Sequence, residues 1–215
     1  MFGFHEWRWH QKLTVTIDTP DGLKTGSAVT SARFSVSPEW WGLGDFAGSA
    51  SSSLSGEAVT VDLGRGRYLF ALLQDYGVET ARKSFLPKEE QPGDRAQLIE
   101  VYDRLESIRG SRQLSRDLYP PLVTFDNINS PASVHLVNPD DLSVNFGPGY
   151  RISSITLSIT DEPVTQGDVE RALVWFYQVR RLIPTNQKPR LAKDRTVEQT
   201  VTKLDFISPD QWRDL

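Results

Sequence analysis

The sequence contains no cysteine, a single methionine and only three histidines. Without thiols there can be no disulfide, thiolate nucleophile, Cys-ligated zinc or iron–sulfur cluster. Long hydrophobic runs are missing too. The longest, Tyr68 to Leu73, has the length of a buried strand, far short of the roughly 20 apolar residues of a membrane helix. Nor is there an excess of one charge: 28 acidic against 24 basic side chains leave a net charge of −4, which supplies no basic footprint for nucleic acid. A G-x-S-x-G elbow, a phosphate-binding glycine loop and a solenoid-length repeat are all absent. Residues 1–10 alternate charged and aromatic side chains where a secretory leader would carry a basic segment and an apolar run, so no leader is expected and the cytoplasm is the expected compartment.

The 215 residues are 38% hydrophobic and 24% charged, an ordinary globular composition. A chain of this length buries roughly 70–75% of its unfolded surface and needs no covalent staples. In the N-terminal half, Leu13, Val15 and Ile17 alternate with threonines, the period of a half-buried strand. Pro20, Asp21 and Gly22 supply a tight turn, and the chain returns through Ala28, Ala32, Phe34 and Val36, with Gly26 as a candidate bulge. A second hairpin runs through Val59, Val61 and Leu63, turns at Gly64 to Gly66 and comes back as the continuous apolar run from Tyr68, which predicts a strand covered on both faces. Between the hairpins lies a glycine- and serine-rich loop, residues 37–56, whose second half has linker composition.

The C-terminal half mixes helix with strand. Asp94 caps a helix whose stripe is Leu98, Val101, Tyr102, Leu105 and Ile108, stopping at Gly110. Leu122–Phe125 and Val134–Val137 read as short strands, and Asn138 with Pro139 and two aspartates reads as the start of a short helix. Ile155, Leu157 and Ile159 mark a clean late strand; Thr165 to Asp168 open a second longer helix with Val169, Ala172, Leu173 and Phe176 inward. The expected fold is α+β: an antiparallel β-sheet of about six strands partly covered by two longer helices. Residues 1–183 form a single α+β domain in this reading, and 184–215 a polar C-terminal arm or tail with Phe206 and Trp212 as docking anchors.

Three groups of residues could carry chemistry. His5 and His10, with Glu6 between them, are the candidate metal ligands. Their spacing is five rather than the four of a helical zinc pair, and on a strand it sends them to opposite faces, so no metal is expected. Asp126, His135 and Asp140, with Asp141, are the candidate acid–base set. Against that reading, acids at the start of a helix serve its dipole and Asp126-Asn127 is ordinary turn chemistry. Trp40, Trp41 and Phe46, held in the glycine-rich loop, are the candidate partner-binding residues, together with Trp212. Such rings either contact a partner, sugar or membrane surface, or fold back to cap the core.

Three blocks carry a resemblance: Lys12 to Gly22 with Thr25 to Val29; Gly56 to Gly64 with Leu69 to Leu73; and Phe146 to Gly149 running on to Thr165. Together they resemble a group of uncharacterised proteobacterial proteins that share these blocks in the same order. The motifs belong to turns and strands, so the resemblance implies a common fold, with no activity and no catalytic residue to carry over. Some members of that group begin with a lipoprotein-type leader, which has no counterpart in a chain without cysteine. The function expected is non-enzymatic: a binding or interaction protein using the aromatic loop, with another protein as partner and no cofactor. The alternatives are a hydrolase or metal-dependent enzyme centred on Asp126, His135 and Asp140, and a structural component of a larger assembly or of the cell envelope.

Overall fold

The computed structural model describes residues 3–38, 40, 49–74, 76–86, 94–182 and 200–212. Strands β1 (His5–Thr19) and β2 (Gly22–Val36) form one long antiparallel hairpin, in unbroken register from His5↔Val36 to Thr19↔Gly22. On the β2 side it is extended by β3 (Ala50–Ser55) and on the β1 side by β9 (Arg151–Thr160), which in turn pairs with β6 (Gly110–Gln113). The result is a five-stranded antiparallel sheet in the order β3-β2-β1-β9-β6. A second sheet consists of β4 (Val59–Gly64), β5 (Arg67–Ala71), β7 (Leu122–Phe125) and β8 (Val134–Leu136), in the order β4-β5-β7-β8.

The single sheet of about six strands is therefore corrected to two antiparallel sheets, of five and four strands. Alternation along a strand says which face is buried, not which layer buries it. The free edge of β2 is taken by β3, so the β4–β5 hairpin stacks its apolar face on the first sheet instead of joining its edge. Residues expected as flexible linker thus form β3, because pairing with β2 satisfies their backbone groups despite a serine-rich sequence. The bulge expected at Gly26 is absent, since Gly26 lies opposite Val15 in regular register. Its glycine answers a different need: a Cβ there would stand 2.2 Å from the carbonyl oxygen of Thr60, so the β4 backbone passes directly over β2.

Two cores result. Between the sheets lie Leu13, Val15, Ile17, Val61, Leu69 and Leu157, all essentially inaccessible to water. Alternate residues of β5 point the other way, so Phe70 and Leu72 enter a second core with Val123, Leu173, Phe176 and Phe206. The apolar run from Tyr68 is thus covered on both faces, as its continuity implies.

Among the described residues there are four α-helices where the pattern suggests three, and most are shorter than expected. Helix α2 (Arg95–Ser107) forms as expected, its N-terminus capped by the Asp94 carboxylate accepting from Gln97 N at 2.9 Å. It follows an unanticipated α1 (Val78–Phe85). The short helix expected from Asn138 is a turn, and α3 (Ser143–Phe146) begins later. There the side chains of Asn138 and Asp141 bond backbone N–H groups two residues on, the local competition that disfavours helix. The second longer helix shrinks to α4 (Asp168–Ala172). Beyond it the chain continues in turns through Trp175 and Phe176, both buried and with ring centroids 6.4 Å apart. Of the expected C-terminal arm, residues 200–212 dock along the second core. Ala58 N donates to Phe206 O at 2.7 Å, Ser208 N to Gly56 O at 2.9 Å, and Phe206 is fully buried.

Candidate functional site

The outer face of the five-stranded sheet, away from both cores, is where exposed functional groups gather. Because Trp7, Trp9, Leu13 and Val15 of β1 point inward, Glu6, Arg8, His10 and Lys12 point outward. Register places Ser35 and Ser51 beside Glu6, and Arg33 and Ser53 beside Arg8, giving two polar rows across β1, β2 and β3. Glu6 joins both arginines, accepting from Arg8 Nε and Arg33 Nη2 at 2.5 Å each. The Arg33 and Arg8 hydrogen bonds hold its carboxyl below the usual carboxylate range.

At the end of these rows stand two exposed rings. Phe4, just before β1, is 48% accessible and Trp40 is 64% accessible; they meet edge to face with centroids 6.4 Å apart. Arg95 of α2 fixes the two chain segments that present them, donating to Gly3 O and Ser37 O at 2.7 Å each. Gly3 also packs on Pro38, its Cβ direction meeting the proline Cβ at 3.1 Å. Of the expected aromatic loop residues, Trp40 is therefore at this surface, while Trp41 and Phe46 lie outside the described residues. Phe4 and Arg95 were not singled out in the sequence; the only cue to Phe4 is its place among the alternating aromatics before Trp7 and Trp9.

The other end of the rows is closed by residues 161–165, which cross the sheet face from β9 to β2. Arg109 Nη2 binds Asp161 at 2.8 Å, Lys12 Nζ binds Glu162 at 2.8 Å, and His10 Nδ1 lies 2.7 Å from the Glu162 carbonyl oxygen. The far end is stitched to β2 by Thr165 N donating to Val29 O and Val29 N donating to Thr165 Oγ1. His10 thus anchors this crossing segment, while His5 stacks on Trp7 at 5.7 Å. The two histidines are on opposite faces of β1. Among the described residues, no three His, Asp or Glu side chains are grouped to hold a metal.

The acid–base candidates are only partly assembled. His135 Nδ1 lies 3.2 Å from Ser133 O and 3.6 Å from Asp126 Oδ1, and Asn145 Nδ2 reaches His135 Nε2 at 2.9 Å. Both ring nitrogens are therefore already engaged, Nδ1 with Ser133 and Nε2 with Asn145. Asp140 is held elsewhere, by Arg116 through Nε at 2.9 Å and Nη2 at 3.0 Å. Those bonds to Arg116 push its carboxyl down, the wrong direction for a general acid.

A cleft of about 230 Å³ lies beyond the Ser55 end of β3, lined by Glu57, Thr165, Gln166, Glu170, Asp210 and Gln211. Glu57, buried at the approach to β4, accepts from the backbone N–H of Gly167, Asp168 and Val169 at 3.0–3.3 Å. Burial nevertheless outweighs these bonds and pushes its carboxyl up. Glu170 accepts from Tyr177 OH, and Asp210 from the Ser55 hydroxyl. With its acids committed to internal donors, this cleft braces α4 and the C-terminal segment against the sheets. Glu57 escaped the sequence reading although it is a lone charge between Gly56 and a run of strand residues. Trp212 is likewise engaged: its Nε1 donates to Ile207 O at 2.9 Å, and its ring covers the Lys203 ammonium at 4.9 Å. Phe176 and Tyr177 complete a box of rings around that ammonium, which also donates to Val179 O at 3.0 Å.

The chain was compared with protein-family models, curated proteins and solved structures. Nothing matches. Residue roles therefore rest on the geometry alone. No helix among the described residues is long and apolar enough to cross a membrane.

Proposed function

We propose that this is a non-enzymatic binding protein whose contact surface is the outer face of the five-stranded sheet at its Phe4–Trp40 end. One observation carries the reading: a tryptophan 64% accessible, seated against an equally unusual exposed phenylalanine. Large rings are expensive to leave in water, and a fixed aromatic pair beside hydrogen-bonding groups is the common make-up of a binding anchor. Arg95 holds the backbone just before Phe4 and three residues before Trp40, which supports a presented pair. The enzyme alternative lacks comparable support, since Asp140 is tied to Arg116 and the His135 ring to Asn145 and Ser133.

The test is affinity capture from a native lysate, analysed for both proteins and polysaccharides, with the wild-type chain and the double variant Phe4→Ala, Trp40→Ala. A component retained by the wild type and lost from the variant is the expected result. If the two retain the same material, the aromatic pair is not the binding site.

A further inference from the structure

Each sheet ends in two edge strands, and three of the four carry features that discourage pairing with another chain. β6 is four residues long, with Arg112 inside it and Arg109 just before it. β8 has only three residues. β4 carries Asp62 and loses regular register between Asp62 and Gly64. β3 has none of these devices. It is six residues long, pairs with β2 without a shift, and lies in a stretch from Phe46 to Gly56 that contains no charge and no proline. We propose that β3 is a self-association edge, pairing antiparallel with β3 of a second copy of this chain about a two-fold axis at Ser52.

The hydrogen-bond phase shows what this edge offers. Ser37 N donates to Ser49 O at 3.0 Å, one pair beyond the Val36↔Ala50 end of the ladder. Hydrogen-bonded pairs alternate along an antiparallel ladder, so Ser51, Ser53 and Ser55 are the β3 residues that bond to β2. Ala50, Ser52 and Leu54 turn their N–H and C=O groups outward. No hydrogen bond among the described residues takes up those groups. Residues 50–53 are exposed, and coverage begins only at Leu54, which packs on the core between the sheets. Asp210 and Gln211, in the turn at Pro209–Gln211, hold the Ser55 hydroxyl and bound the edge there. The open edge therefore runs from Ala50 to Leu54.

A second copy fits this edge better than a foreign strand does. With the axis at Ser52, Ala50 faces the partner's Leu54, Ser51 faces the partner's Ser53, and Ser52 faces the partner's Ser52. The outward groups of Ala50, Ser52 and Leu54 then meet in register, each residue exchanging both bonds with its counterpart. Every facing side chain is uncharged, and apart from Leu54 all are small. A two-fold sets residues at the axis against their own kind, so a charge there would meet a like charge and oppose pairing. β3 meets that condition. A foreign extended peptide needs no such neutrality and draws its specificity from pockets for alternate side chains, which a row of serines does not form. The pairing also closes. It uses up both β3 edges and leaves the arginine-bearing β6 at either end, so the product is a dimer and not a fibre. The contact is one strand wide, well under the roughly 1,000 Å² of a stable interface, so association is weak, near about 0.1 mM.

Sedimentation velocity of the full chain, up to about 1 mM, tests the dimer. Reversible dimerisation is expected in the wild type. Ser52→Lys and Ser52→Asp should each weaken it about fivefold or more, because like charges then face across the axis. Mixing the two variants in equal amounts should restore it, a recovery that misfolded chains could not give. Ser52→Cys supplies a second readout in a chain with no cysteine of its own. Facing hydrogen-bonded residues have Cα atoms about 5.5 Å apart, within disulfide reach. Mild oxidation should therefore link Ser52→Cys about tenfold faster than Ser111→Cys on the exposed edge β6. A wild type that stays monomeric at about 1 mM, or one that grows beyond a dimer, overturns the proposal. So does a dimer indifferent to charge at Ser52, a mixture that fails to recover it, or equal crosslinking at the two positions. The capture experiment on Phe4 and Trp40 decides the binding reading separately.

Discussion

Trp7 and Trp40 sit at the same end of the five-stranded sheet and share a side chain, but almost nothing else. Trp7 is 3% accessible, against 64% for Trp40. Its indole N–H donates to Asp103 of α2 at 2.7 Å, and its ring packs on Phe34 and Tyr102 at 5.8 and 5.4 Å. Trp40 meets Phe4 edge to face, and both rings stay largely accessible. The inner face is closed by α2 and the second sheet, so each ring there is fixed from several sides. At the end of the serine and charge rows the same residue type stays mostly accessible. Aromatic content alone therefore says nothing about function: what separates a core ring from a contact ring is whether another layer lies above it.

That contrast breaks first on the inner face. Trp7→Ala removes a ring from an aromatic cluster and leaves the Asp103 carboxylate without its indole donor. A loss of about 3–5 kcal/mol is expected, the range for large aromatic truncations in cores. Urea titration followed by circular dichroism measures it. A loss under about 1 kcal/mol would mean that the inner face is far looser than its packing indicates.

The carboxylates repeat the contrast in smaller amounts. Exposed Glu6, Asp161 and Glu162 are drawn below their ordinary range by hydrogen bonds from Arg33, Arg109 and Lys12. They favour the folded state above the unfolded carboxyl pKa, and that contribution disappears as pH falls through their lowered values. Buried Glu57 is raised by desolvation, so the folded protein holds its proton more tightly than the unfolded chain. Its contribution is lost in the opposite direction, as pH rises above about 4.5 through the raised value. Glu57→Ala strands three backbone N–H groups and should cost about 2–3 kcal/mol. Glu57→Gln keeps an acceptor and the shape but cannot ionise. Its deficit relative to wild type should shrink between pH 4 and pH 8 (about the span over which such a group titrates). Denaturant titrations across that span settle the point, and a constant deficit would contradict the desolvation of Glu57.

How far the sequence reaches follows from the same distinction between pattern and layer. Period-2 alternation identified β1, β2, β4 and β9, the continuous apolar run identified β5, and the Asp94 cap with its apolar stripe identified α2, because those signals are local. It could not reveal that β3 pairs with β2: Ala50 to Ser55 has no alternation, and its strand conformation is imposed by the open edge beside it. Gly26 looked like a bulge because its real constraint, the Thr60 carbonyl, lies 34 positions away in the chain and in the other sheet. At the site, Trp40 was legible as an unusual residue in an unusual loop. Phe4, Arg95 and the serine rows were not, since only the register of three strands brings them to one face. His10 shows the converse: it looked like a ligand and is used to hold residues 161–165 across the sheet.

The smallest effect on stability is expected where the largest effect on binding is proposed. Trp40→Ala removes a ring that is mostly in water already, so it forfeits little transfer free energy and opens no cavity. Its edge-to-face contact with Phe4 joins two largely accessible rings, which contributes little beyond the area buried. Surface changes of this kind fall within about 0.5 kcal/mol of wild type. In a domain of this size that is a shift of only about 1–2 °C in Tm. Thermal melts of Trp7→Ala and Trp40→Ala run side by side should therefore differ far more from each other than Trp40→Ala differs from wild type. A drop of about 2 kcal/mol or more in Trp40→Ala would place that ring in a packed layer. It would then belong with Trp7 as a residue that holds the fold together, and the outer face would lose its claim to be a binding surface.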